Sequence, residues 1–221
     1  MHIEEGVVTG AKLILGYATA ATAGLYSLKL AADAVRAQGA ASLMARAGLA
    51  TAATFVFFQV LPTAPVGVSE VHLILGSTLF LILGAAPAAI GLALGLLIQG
   101  LFFAPFDLPQ YGMNVTTLLV PLFAVAAVAG RVIAPGTAYV DLRYGQALAL
   151  SAAYQGGIVA WVAFWAFYGQ GAGATAGVLS FGAAYLLVIV VEPLVDLAVL
   201  AGAKAARGLR GSELVTPRLY A

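Results

Sequence analysis

The chain contains no cysteine. Disulfides, thiolate zinc sites and iron–sulfur clusters are therefore excluded as sources of stability or chemistry. Charge is scarce as well: Asp, Glu, Lys and Arg make up 9% of 221 residues, against roughly a quarter in ordinary globular domains. Such a composition cannot clothe a soluble surface. Histidine is rarer still, with only His2 and His72 in the whole chain. The G-x-x-x-x-G-K-[ST] phosphate loop is missing, so ATP hydrolysis is not expected of this chain, and H-E-x-x-H and G-x-S-x-G are missing too. No basic patch with interleaved aromatics points to nucleic acid, and the net charge is only +1. In front of His2 there is neither the basic segment nor the small-residue cleavage site of a signal peptide. Met1 is thus expected to be retained, because a bulky second residue blocks its removal.

What is abundant is apolar surface. Hydrophobic residues form 62% of the chain and the mean hydropathy is +1.02. Several runs extend for about 20 residues almost without charge, the length that crosses a hydrocarbon core. This composition predicts an all-α, polytopic membrane protein, a single integral membrane domain over 1–221 with a basic tail at 202–221. Reading for apolar runs punctuated by Pro, Gly and charge gives about seven spans, roughly 10–32, 46–62, 71–86, 87–104, 115–134, 146–168 and 174–201. Only GAAPAA around Pro87 separates the third from the fourth, so these two are read as helices joined by a tight turn, one of them short or re-entrant.

Lys and Arg orient the spans. With the amino terminus outside, Lys29, Arg36, Arg46, Arg131, Arg143, Lys204, Arg207, Arg210 and Arg218 all fall on the cytoplasmic side, and only Lys12 does not. The positive-inside rule therefore predicts N-out and C-in. The outer side then holds Glu4, Glu5, Glu70, Asp107 and both histidines. A mouth rich in carboxylates and poor in Lys and Arg gathers cations.

Met1–His2 has chemistry of its own. The terminal amine, the amide nitrogen of His2 and its ring Nδ1 can close two fused chelate rings on one metal. The amine, with a reference pKa of about 7.7–8, gives up its proton readily to a metal. Displacing the amide proton needs Ni(II), Cu(II) or Co(II), and the planar set leaves one equatorial position open. His72 is the one other imidazole available to fill it. Tetrahedral Zn(II) fits less well. Elsewhere, Glu192 and Asp196 sit one turn apart in the last span. They are candidates for proton relay, but their position near its cytoplasmic end, beside Pro193, favours an interfacial or partner-binding role. Two small-residue faces, Gly91-Leu-Ala-Leu-Gly95 and ARAGLATAATF at 45–55, offer close helix approach to a docking partner.

These residues carry a resemblance. MHIEEG resembles the M-H-I-x-E-G opening of the CbiM/NikM family, the substrate-binding components of energy-coupling factor (ECF) transporters for cobalt and nickel. SEVHLILGSTLFLILG at 69–84 is similar to that family's second histidine segment. QGLFFAPFDLPQYGMNVTTLLVP at 99–121 is similar to its Gln-led helix, external loop and G-x-N element. The matches run from residue 1 to about 135, and the later helices match only in hydrophobicity and order. The chain departs from the pattern at Val71, Ala86–Pro87 and Pro105, the last standing where the family loop carries a third histidine.

The resemblance implies a six-helix core plus one additional N-terminal helix that inserts the amino end into the pocket. It places the metal on Met1 through its amine, His2 through amide and ring, and His72. Asn114 falls on the family's buttressing loop asparagine, and Ser69, Gln99 and Asp107 stand around the ligands, with Asp107 positioned to offset the change at Pro105. It further implies import of Co(II) or Ni(II) across a bacterial or archaeal cytoplasmic membrane. The partners would be a CbiQ/NikQ-like coupling protein, CbiO/NikO-like ATPases and a small CbiN/NikN-like subunit. Two other readings of the residues stay open. One is a haem-binding redox or assembly subunit with His2 and His72 as axial ligands. The other is a component for an organic vitamin, lined by Trp161 and Trp165.

Overall fold

The computed structural model describes residues 2–134 and 136–205. Met1 and the tail residues Arg207, Arg210 and Arg218 lie outside them. In chain order the fold is α1 (Leu13–Gln38), α2 (Ala40–Gln59), a hairpin of β1 (Ala64–Val66) and β2 (Ser69–Val71), α3 (Gly76–Leu83), α4 (Ala85–Phe102), α5 (Tyr111–Val132), α6 (Tyr144–Gln170) and α7 (Thr175–Ala205). Among the described residues, four helical stretches are long and apolar enough to cross a membrane: Ala40–Gln59, Ala85–Phe102, Pro105–Val132 and Tyr144–Ala205, the last containing both α6 and α7. The protein is an all-α membrane protein in which α2 packs on α4, α5 lies against α1 and α6, and α6 packs on α7.

Two predicted segments come out differently. The loop expected at 33–45 is helix interrupted only at Gly39, whose φ of 82° breaks the chain between α1 and α2. Polar residues do not end α1, because Asp33 pairs with Lys29 and Arg36 at 3.1 Å each along its exposed face. The span expected at 71–86 starts at the last residue of β2, runs through an irregular linker at 72–75 and contains only the eight-residue α3 before α4 begins. A helix of that length rises only about 12 Å and does not cross a core of about 30 Å. The turn is signalled by Gly67, whose φ is 65° and where a Cβ would lie 2.2 Å from the Gly177 carbonyl of α7.

The small-residue faces serve the fold itself. A Cβ on Gly91 would meet that of Ala50 at 2.2 Å, and one on Gly95 would meet Thr54 at 2.7 Å. The runs at 91–95 and 45–55 therefore pack on each other through these residues, which corrects their assignment to partner docking. Along α7, Phe181, Tyr185, Val188, Glu192, Asp196 and Leu200 are buried while Leu186, Leu187, Val190 and Leu194 are exposed. This is a helical stripe with a 3–4 residue period facing inwards. Glu192 and Asp196 lie on it, so they are core residues and not the interfacial pair their position near the helix end suggested.

Candidate metal centre

The amino terminus is held as an added extended segment on the hairpin. Ile3 bridges Ser69 in antiparallel fashion. Glu70 donates its N–H to the His2 carbonyl at 2.9 Å, the Ser69 hydroxyl donates to the same carbonyl at 2.8 Å, and Glu4 donates to Val68 at 3.1 Å. The Ile3 N–H donates to Asn114 Oδ1 at 2.9 Å. Asn114 stands in the first turn of α5, so the buttress is a helix residue and not part of a loop. Ile3, Val7 and Val8 are buried and anchor the segment in the core. His2 beside them is 3% exposed, its ring enclosed by Phe58 and His72.

Strand alternation puts Glu70 and His72 on one side of β2 and its continuation. His72, 1% exposed, donates from Nε2 to Glu70 Oε2 at 2.8 Å. Its Nδ1 is buried without a partner. His2 is engaged at both nitrogens, with Nδ1 2.5 Å from Asp107 Oδ2 and Nε2 2.8 Å from Gln99 Oε1. Gln99 fixes its own orientation by donating to the Phe58 carbonyl at 3.4 Å. The two imidazoles stack with centroids 5.5 Å apart and an interplanar angle of 26°, and the Phe58 ring packs against both. One donor atom from each of His2, Glu70 and His72 lies within 4.8 Å of the other two.

The electrostatics suit a cation. The His72 hydrogen bond holds the Glu70 carboxyl down to about 2. Burial pushes the His72 imidazole down to about 3, which leaves it neutral with a free lone pair on Nδ1. Burial, followed by repulsion from Glu70 and Asp107, raises Glu4. Beside His2 a cavity of about 10 Å³ lies among Leu96, Gly100, Asp107, Leu108, Tyr111 and Asn114, space on the scale of one water or ion.

The structure thus gathers His2, His72, Ser69, Gln99, Asp107 and Asn114 in one place. Sequence reasoning gave Glu70 only a share in an acidic mouth, although its i, i+2 spacing from His72 was the signal for shared orientation. It missed Phe58 entirely. The alternatives fit poorly. Axial haem ligands aim their nitrogens from opposite sides of a flat ring, whereas these rings face each other. Trp165 is fully buried in packing with Phe164 and Tyr168, and Trp161 donates to the Thr116 hydroxyl at 3.2 Å.

The family profile described as "Cobalt uptake substrate-specific transmembrane region" matches residues 2–208. No curated protein matches the sequence. Among solved structures, one described as a truncated transition metal transporter has a TM-score of 0.67 at 18% identity, covering 94% of this chain and 98% of that one. At this identity the likeness is one of fold.

Proposed function

Because the chain belongs to the CbiM family of cobalt uptake transmembrane regions, we propose that it is the metal-capturing component of an ECF-type importer for Co(II) or Ni(II). The observation that carries this reading is the complementary state of the two histidines. His72 holds Nδ1 free while Glu70 fixes its far nitrogen. A ligating histidine is oriented in this way, by a partner on its second nitrogen. For His2, Gln99 plays that part at Nε2, and Nδ1 is the chelating nitrogen. Asp107 lies 2.5 Å from this Nδ1, so an ion bound there has to displace it.

A divalent ion is drawn to Glu4, Glu70 and Asp107, loses water, and is bound by the Met1 amine, the His2 amide and Nδ1, and His72 Nδ1. The domain spans 1–221 with the amino terminus outside and the tail at 202–221 in the cytoplasm of a bacterial or archaeal cell. Energy comes from separate ATP-binding-cassette subunits through a transmembrane coupling protein, with a small additional membrane subunit in the complex. ATP-driven reorientation opens the site inwards, and protonation of amine and amide dismantles the chelate.

A second reading rests on the 4.8 Å cluster, with the ion held by the His2 ring, the Glu70 carboxylate and His72 alone. Metal analysis of purified protein whose Met1 amine is acetylated separates the two. Acetylation keeps every side chain but removes the amine as a donor, so bound Ni or Co is expected to be lost. Unchanged metal content overturns the terminal chelate and leaves the side-chain cluster.

A further inference from the structure

His72 is followed by a linker that has little to hold it. Residues 72–75 belong to neither strand nor helix, and Leu75, which leads into α3, sits at φ 53°. Residues with a Cβ rarely adopt that left-handed conformation. Leu75 also has no polar side chain with which to cap α3, so the main-chain N–H groups of the linker leading into it need acceptors from elsewhere.

The acceptors come from α7, more than a hundred residues along the chain. Glu192 accepts the Ile74 N–H on Oε2 at 2.7 Å and the Leu75 N–H on Oε1 at 2.8 Å. One turn on, Asp196 accepts the Ser77 hydroxyl at 3.0 Å and the Thr78 hydroxyl. Glu192 is itself fixed from α6. The Gln155 amide donates to Oε1, and Tyr185 donates to Gln155 Oε1 at 2.8 Å. All of these groups are buried. The Ile74 and Leu75 N–H groups and the Ser77 and Thr78 hydroxyls are thus held by two buried carboxylates, and Gln155 fixes the first of these.

From this geometry we propose that Glu192 is the positioning residue for His72. From another helix it holds the Ile74 and Leu75 N–H groups at the entry to α3 and so fixes the end of the linker two residues from the ligand, a reach of at most about 7 Å. Asp196 secures the same turn, and Gln155 and Tyr185 set the angle of Glu192. The proposal rests on His72 being a metal ligand, and its test separates the two ideas.

The experiment is a double-mutant cycle on the full chain in detergent, reading Ni(II) affinity by competition with a chelating dye. Glu192→Gln, which keeps the shape but weakens the acceptors, is expected to lower affinity about 10- to 100-fold, as loss of an outer partner does. In a His72→Ala background the same change is expected to cost less than about twofold. The Cu(II) visible band of Glu192→Gln should move to longer wavelength, in the direction of His72→Ala, as the fourth nitrogen is lost. Equal losses in both backgrounds, or no loss in either, would overturn the positioning role. If His72→Ala alone leaves affinity unchanged, the ligand assignment fails first. Tyr185→Phe removes one hydroxyl and no volume, so it folds where Glu192→Gln does not. It must show a smaller loss that again vanishes with His72→Ala.

Discussion

The two histidines reach one site by opposite means. His2 belongs to a terminal segment held by main-chain pairing to the hairpin, with its ring latched to Asp107 and Gln99. His72 belongs to an internal linker, with its ring fixed by Glu70 alone and one nitrogen left free. One ligand is well placed but occupied, and the other is vacant but depends on its supports. Under the proposed chelate, metal at His2 Nδ1 has to replace Asp107, whereas His72 Nδ1 has no hydrogen bond to lose.

That contrast can be broken most severely at the vacant ligand. His72→Ala is expected to weaken Ni(II) or Co(II) more than about 100-fold, beyond what loss of an outer partner produces. Equilibrium competition measures it, and a loss under tenfold would place the fourth donor elsewhere. Glu70→Gln is expected to cost about 10- to 100-fold, because His72 keeps its nitrogen but loses its orienting charge. Calorimetry on the same preparation tests this, and an effect as large as that of His72→Ala would make Glu70 a direct ligand.

Acid sharpens the comparison further. Between pH 8 and 5 the terminal amine takes a proton near its reference value of about 7.7–8, so affinity should fall with each step down. His72 is held neutral to about 3 and adds nothing to that slope. The pH profile of the residual binding in His72→Ala should therefore run parallel to that of the unaltered protein. A flat profile from pH 8 to 5 would remove the amine from the site. The smallest effect, and the one of opposite sign, belongs to the latch. Asp107→Asn releases Nδ1 of His2, so affinity rises by up to about tenfold, the scale of one charge-assisted hydrogen bond partly offset by lost attraction. A fall comparable to that of Glu70→Gln would show that Asp107 supports the loaded state.

Much of this site was legible in the chain, for physical reasons that differ by residue. His2 and His72 stood out because imidazoles are rare in a chain with 62% hydrophobic residues, and ionisable groups at membrane depth are usually functional. The distribution of Lys and Arg put both on one side. The hairpin was not legible, since strands of three residues are lost in a hydropathy window sized for helices. The role of Glu192 was hidden for another reason. Its inward direction follows from the stripe of Phe181, Tyr185 and Val188, but its partners, the N–H groups of Ile74 and Leu75, are main-chain atoms with no sequence signature. Small residues misled in the opposite sense. Gly91 and Gly95 invite a partner helix, and the partner is α2 of the same chain.

The most direct measurement is pulsed electron paramagnetic resonance on the full chain loaded with one equivalent of Cu(II), counting the imidazole nitrogens that couple to the metal. The account predicts two imidazoles on one ion in the unaltered protein and one in His72→Ala. A single imidazole in both would contradict the shared site.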